Sequence, residues 1–136
     1  MKVKYRLCAM IGITALLMML CACGGDVSNV EQKFAGSEIY SQEDIDSAAV
    51  VVKKYFKSNF KGCTLTDIVY PGDNEEQFNA LADEYDADQG VILVSSFNTG
   101  ESGGDGSLNK NSTYDGWQGM LVRSDGGKWR HVDHGY

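Results

Sequence analysis

The sequence lacks an apolar run long enough to span a bilayer comfortably. Its longest run, Leu7 to Leu20, covers about fourteen residues, whereas a membrane-spanning helix needs roughly twenty. Lys2, Lys4 and Arg6 precede this run. A basic start followed by a short apolar segment is typical of a removable signal peptide, and we expect residues 1–22 to form one.

A lipid-attachment pattern follows the apolar run. The stretch Leu20-Cys21-Ala22-Cys23 resembles the lipobox of bacterial lipoproteins, in which a small residue stands directly before the modified cysteine. Ala22 fills that position if Cys23 is the acceptor, whereas Leu20 would fill it for Cys21. The resemblance implies lipidation of Cys23 and a protein that its acyl chains hold at the extracytoplasmic face of the cell membrane.

Cysteines and basic residues are both scarce in the expected mature chain. Besides Cys23 only Cys63 remains, so no intrachain disulfide framework is available. Nine basic residues stand against nineteen acidic ones, a net charge of −10. Such a surface repels phosphate, which argues against nucleic acid as a partner and leaves membrane anchoring to the acyl chains.

One long amphipathic helix is predicted over about residues 42–61. Its apolar residues recur at steps of three and four, Ser41 and Asp44 form a capping pair, and Gly62 is a suitable stop. The polar residues 23–40 show no clear periodicity, and we expect a flexible tether there. Residues 41–136 would then form a single domain.

Four strands and a short helix complete the predicted domain. We expect strands at 64–70, 91–98, 116–123 and 128–133, and a second helix over about 75–85. The unbroken apolar run from Val91 to Val94 indicates a central strand covered on both faces. Segregated elements favour an α+β fold, in which the long helix packs on a curved, mainly antiparallel sheet of about four strands.

This layout resembles the cystatin-like, nuclear-transport-factor-2-like architecture. The run Gly103 to Asn109, the strand Trp117 to Arg123 and the ending His131 to Tyr136 are also similar to a group of small lipoproteins from Gram-positive gut bacteria. The resemblance covers about residues 39–136. It implies the fold and the membrane address, and it brings no activity and no cofactor with it.

His131, Asp133 and His134 are the residue types that most often bind metals or transfer protons. A regular hairpin that pairs Arg123 with Lys128 puts His131 and Asp133 on one face and His134 on the other. This register does not bring three ligands to one metal. His131 and Asp133 remain as a candidate acid–base pair, without a complete catalytic set.

The glycine-rich segment 99–114 contains a weak calcium-binding pattern. Asp105, Ser107, Asn109 and Asn111 occupy alternate positions, as in the first half of an EF-hand loop. Lys110, however, stands where the turn glycine should be, and Gly116 where the bidentate glutamate should be. We therefore expect an exposed loop and assign no metal ligand.

The same hairpin register places Trp117, Arg123 and Arg130 on one sheet face. A mixed aromatic and arginine surface is typical of interface cores, and it could receive a carboxylate or a phosphate. Its cations could instead meet the surplus acids of the protein's own surface.

These features favour a non-catalytic binding or interaction module of the cell envelope, which recognises a partner protein, a peptide or a small ligand. The alternative is a small hydrolase or isomerase with a pocket between the long helix and the sheet, near His131 and Asp133. A purely structural envelope protein is a third interpretation.

Overall fold

The computed structural model describes residues 24–136, and the expected signal peptide and Cys23 lie outside the described residues. The elements follow the order β1 (Glu31–Phe34), α1 (Gln42–Asn59), β2 (Thr64–Tyr70), α2 (Glu75–Glu84), β3 (Gln89–Asn98), β4 (Thr113–Arg123) and β5 (Arg130–Gly135). Together they form an α+β fold with two helices and a five-stranded mixed sheet.

The strands lie in the sheet in the same order as in the chain. The pairs from β2 to β5 are antiparallel, whereas β1 pairs in parallel with β2. The apolar strand β3 therefore lies at the centre, as its sequence predicted. Val91, Ile92 and Leu93 are at most 6% exposed, which is consistent with cover on both faces.

The two helices cover opposite faces of the sheet. A Cβ atom on Gly119 would lie 3.4 Å from a methyl group of Val52 in α1, and Gly119 pairs with Leu93. A Cβ atom on Gly90 would lie 2.4 Å from the carbonyl oxygen of Phe78 in α2. Gly90 and Leu93 are three residues apart in one strand, so they face opposite sides.

Helix α1 follows from local sequence signals. The hydroxyl of Ser41 accepts a hydrogen bond from the Asp44 N–H, and the Asp44 carboxylate accepts one from the Ser41 N–H, which completes the capping box. The helix ends at Asn59, two residues before the predicted end, and Gly62 follows with a φ of +77°. Its buried stripe consists of Ile45, Ala48, Ala49, Val52 and Phe56.

The expected flexible tether is wrong for the described part of residues 23–40. Residues 31–34 form β1, and the Gly25 N–H donates to the carbonyl oxygen of Lys57 at 3.0 Å. The N–H of Asp26 donates to the carbonyl oxygen of Cys63 at 2.8 Å. Backbone pairing holds this segment, and its exposed polar side chains therefore showed no strand periodicity.

The remaining boundaries agree closely with the prediction. Strand β2 spans the predicted 64–70, and α2 ends one residue earlier than expected. The other three strands lie within three residues of their expected bounds.

Hydrogen bonds around Thr99 shape the connection between β3 and β4. The Thr99 hydroxyl donates to the carbonyl oxygen of Asn109 at 2.6 Å and accepts from the Ser112 N–H at 2.8 Å. The loop also approaches Cys63, since a Cβ atom on Gly104 would lie 3.5 Å from the Cys63 sulfur. Residues 99–112 therefore form one wall beside the end of α1.

Candidate functional site

A β-bulge in β5 decides which side chains meet near the end of α1. Leu121 pairs with His131, but Gly119 pairs with His134, and Val132 is the extra residue between them. The predicted regular register is wrong by one residue before this bulge and by two after it. Because the extra residue reverses the alternation, His131 and His134 lie on the same face of the sheet.

Both histidines contact Tyr55 of α1. The His131 ring stacks on Tyr55 with a centroid distance of 3.7 Å, and the His134 ring lies 5.3 Å from Tyr55. Burial, with a smaller contribution from His134, lowers the pKa of His131 to about 4. His131 is therefore neutral at neutral pH and acts as an aromatic packing partner.

Trp117 joins the same aromatic group from β4. Its indole stacks on His134 at 5.7 Å with an interplanar angle of 26°. Four more rings meet it edge-on, those of Phe60, Phe97, Tyr114 and Tyr136. Strand pairing and the end of α1 thus bring residues from distant parts of the sequence into one cluster.

A cleft opens between this cluster and the 99–112 loop. Its volume is about 270 Å³, slightly below the roughly 300–1,000 Å³ of typical ligand pockets, which suits a ligand the size of one ring. We call it the aromatic cleft; it is lined by Tyr55, Asn59, Phe60, Gly104, Asp105, Ser107, Leu108, Trp117 and His134.

Two buried polar atoms of cleft residues have no hydrogen-bond partner among residues 24–136. They are Nε1 of Trp117 and Nδ1 of His134. The other tryptophan, Trp129, donates its Nε1–H to the carbonyl oxygen of Asp44 at 3.0 Å. An unpaired buried polar group costs about 1–3 kcal/mol and is rare in native proteins. Hydrogen-bonding capacity is therefore left unused at the aromatic cleft.

Asp105 supplies the negative charge of the cleft. Its carboxylate accepts hydrogen bonds from the hydroxyl and the N–H of Ser107, at 2.5 and 2.9 Å. These bonds lower the pKa of Asp105, so it is ionised at neutral pH. Among the described residues that line the cleft, none is lysine or arginine. This charge distribution disfavours an anionic ligand.

The structure does not bring the candidate catalytic residues together. Asp133 is exposed, and its carboxylate accepts the N–H of His134 at 2.8 Å. No hydrogen bond joins Asp133 to His131 in the described part of the chain. His131 packs on Tyr55, on the α1 side of the sheet.

The predicted binding surface of Trp117, Arg123 and Arg130 does not form. The Arg123 guanidinium binds the Asp44 carboxylate at 2.9 Å and lies 4.3 Å from the Trp129 ring centroid. The one-residue register shift turns Arg130 to the opposite face of the sheet. Trp117 lies in the aromatic cleft instead, and it is the member of this set that remains a binding candidate.

The candidate metal ligands contribute to the loop structure. The Asp105 carboxylate binds Ser107, the Asn109 N–H donates to the Tyr114 hydroxyl at 3.0 Å, and Asn111 has a φ of +46°. In the described residues, no group of three or more His, Cys, Asp and Glu side chains is arranged to hold a metal ion.

Sequence reasoning missed most of the aromatic cleft. Tyr55 and Phe60 were expected only as part of the apolar stripe of the helix. The predicted register placed His131 on the face opposite to Trp117, whereas it lies on the same face, and it placed His134 on the face where it is found. The spacing of Tyr55 and Asn59 by one helical turn was a usable signal, because such residues lie side by side on a helix. Nothing local in the sequence marked Val132 as a bulge.

Comparisons of the chain with protein-family models, curated proteins and solved structures found no match. The similarity to cystatin-like proteins and to small lipoproteins therefore stays a prediction. Neither helix in residues 24–136 combines the length and the apolar character needed to cross a membrane.

Proposed function

We propose that the protein is a lipid-anchored, non-catalytic binding module of the cell envelope and that the aromatic cleft is its ligand site. The observation that carries the proposal is the pair of unused polar atoms, Trp117 Nε1 and His134 Nδ1, on residues that line one cleft. The anchor at Cys23 is inferred from the sequence pattern alone.

A ligand with hydroxyl groups suits this site. A hydroxyl both donates and accepts, whereas the indole N–H only donates and an imidazole nitrogen does either, depending on its tautomer. The rings of Tyr55 and Phe60 offer apolar contact area, and the Asp105 carboxylate disfavours an anion. We therefore expect an uncharged, hydroxyl-bearing ligand about the size of a single sugar ring.

Ligand contact requires a small side-chain movement. Each unused atom exposes less than 1 Å² of surface, so a neighbouring group must shift before a ligand can reach it. The Tyr136 ring packs edge-on against Trp117 at 5.3 Å, yet 75% of this residue is exposed. Tyr136 is therefore the neighbour that can move at the smallest loss of buried area.

The two tryptophans provide a matched test by proton–nitrogen correlation NMR. Titration with N-acetylglucosamine should shift the Trp117 indole N–H resonance, because the ligand supplies its missing acceptor. The Trp129 indole resonance should stay in place, because that N–H already binds Asp44. Tyr55→Ala should abolish the Trp117 shift, whereas Lys128→Ala at an exposed turn should not.

Two charged probes complete this experiment. Benzoate should leave the Trp117 resonance unchanged, because its carboxylate would face Asp105. A shift of the Trp117 resonance with choline, and none with N-acetylglucosamine, would support the aromatic cleft as a ligand site. It would refute an uncharged, hydroxyl-bearing ligand. The proposal is wrong if no probe moves the Trp117 resonance, or if both indole resonances move together.

A further inference from the structure

The described chain begins directly against the C-terminal end of α1. The Gly25 N–H donates to the Lys57 carbonyl oxygen at 3.0 Å, and a Cβ atom on Gly24 would lie only 2.4 Å from that oxygen. A glycine at position 24 therefore lets the backbone lie on the helix end. Residue 23 is one peptide unit away, about 3.8 Å between Cα atoms. A lipid on Cys23 would thus be attached beside α1, without a spacer.

Lysines are concentrated at this end of the molecule. Residues 47–66 contain four lysines and no acidic residue, although acidic residues outnumber basic ones over the whole chain. We call Lys53, Lys54, Lys57 and Lys61 the lysine patch. Three of them are exposed and Lys53 is half-buried, and within residues 24–136 none has an ion-pair partner.

Two acidic groups near this end of the molecule bind serines and form no ion pair with the patch. The Asp26 carboxylate accepts hydrogen bonds from the N–H and the hydroxyl of Ser28. The Asp105 carboxylate is bound in the same way by Ser107. Because no patch lysine forms an ion pair within residues 24–136, the patch presents its positive charge next to the first described residue. The Lys57 Cγ would lie 3.6 Å from a Cβ atom on Gly24.

We propose that the lysine patch docks the domain onto an anionic membrane surface next to the lipid on Cys23. This proposal rests on the lipid anchor of the proposed function. A lysine near an anionic bilayer increases binding about fivefold, so four lysines orient a domain that the lipid already holds at the surface. The acidic remainder of the chain is repelled by the same membrane and reinforces this orientation.

The aromatic cleft stays accessible in this orientation. Tyr55 and Asn59, which line the cleft, are each two positions from Lys57 in α1. Two helical positions correspond to a rotation of about 200°, so these side chains lie on nearly opposite sides of the helix. From the net charge of the chain we expected no electrostatic contact with anionic lipid. A sum over the whole chain does not reveal a local cluster of lysines.

Lysine labelling of the mature acylated protein, anchored on the outer surface of lipid vesicles, tests the proposal. A membrane-impermeant amine reagent followed by mass spectrometry reports on the patch and on three reference lysines, Lys33, Lys110 and Lys128. We expect the patch to be labelled at least about fivefold less on phosphatidylglycerol vesicles than on phosphatidylcholine vesicles, with the reference lysines unchanged. Equal labelling of the patch on both vesicles would overturn the proposal, as would equal protection of all seven lysines.

A matched pair of charge reversals separates position from net charge. Lys57→Glu with Lys61→Glu should restore full labelling of the other two patch lysines on anionic vesicles. Lys110→Glu with Lys128→Glu changes the net charge by the same amount and should leave their protection intact. Loss of protection in both variants would attribute the effect to net charge and refute the patch.

The mass of the mature amino terminus distinguishes failure of the lipid anchor from failure of the docking by the lysine patch. Absence of a diacylglyceryl group on Cys23 would refute the anchor, and with it both this inference and that part of the proposed function. An acylated protein with a fully labelled patch would refute the docking alone. Neither result would alter the test of the aromatic cleft.

Discussion

Replacing Arg123 with alanine should destabilise the fold. The guanidinium connects β4 to the start of α1 through the Asp44 carboxylate at 2.9 Å, and its Nε donates to the Gln89 side chain at 2.8 Å. The guanidinium also lies 4.3 Å from the centroid of the Trp129 ring. Only 12% of the Arg123 side chain is exposed, so solvent screens these contacts poorly.

The expected loss is about 3 kcal/mol. A hydrogen bond between charged groups contributes about 1.5–3 kcal/mol, and a partly desolvated cation–π contact about 1 kcal/mol. For a domain of this size each kcal/mol corresponds to about 4 °C, so the melting temperature of Arg123→Ala should fall by about 12 °C. Thermal unfolding followed by circular dichroism measures this shift.

Arg130→Ala is the matched control, because Arg130 is exposed on the other sheet face. Its free energy of unfolding should change by no more than about 0.5 kcal/mol. The hydrogen bond from Arg123 is the main cause of the lowered pKa of Asp44, whose ordinary value is 3.8. The stability from this pair is therefore fully present above pH 3.8 and lost as the pH falls through the lower folded-state pKa.

The penalty of Arg123→Ala should accordingly shrink when the protein is studied below that pH. Equal melting temperatures for Arg123→Ala and Arg130→Ala would show that the Arg123 contacts do not stabilise the fold. A penalty that stays constant down to the lowest accessible pH would show that the Asp44 pair is not its source.

Two further predictions concern the packing around the sheet. Burial lowers the pKa of His131 from 6.5 to about 4, so the free energy of unfolding should fall as the pH drops from 6.5 towards 4 and then level off. The variant His131→Phe should lack this fall. If the free energy of unfolding, measured with urea at each pH, changes in parallel for the two proteins, the prediction is wrong. Gly90→Ala should lower the free energy of unfolding by more than about 2 kcal/mol, because its Cβ would lie 2.4 Å from the Phe78 carbonyl oxygen. Gly119→Ala should have a small effect, because its Cβ would lie 3.4 Å from the nearest atom. Similar urea midpoints for the two variants would disprove this difference.

Elements with strong local signals were predicted well. The capping pair Ser41 and Asp44 marked the start of α1, and the apolar run from Val91 to Leu93 marked the central strand. Strand β2 was predicted with its observed bounds, because Pro71-Gly72 ends it clearly. Each of these signals involves residues within a few positions of one another, so a pattern in the sequence is enough to detect them.

Strand β1 and the register of β5 were not predictable in this way. The side chains of Glu31, Gln32 and Lys33 are exposed, so pairing with β2 leaves no apolar alternation. The bulge at Val132 shows the same limitation, because the hairpin turn alone favours a regular ladder. Most of the aromatic cleft was missed because it forms where the end of α1, β4 and the 99–112 loop meet, and no local pattern shows which distant segments come together.

Local order along the chain was enough to specify the helices, the central strand and the signature of a lipid anchor at Cys23. Which side chains share a site was decided by contacts between distant segments, above all the stacking of His131 and His134 on Tyr55. One inserted residue in a strand turns every later side chain to the other face. The packing of α1 against the sheet, and not the hairpin turn alone, accounts for the face of the sheet on which His131 and His134 lie.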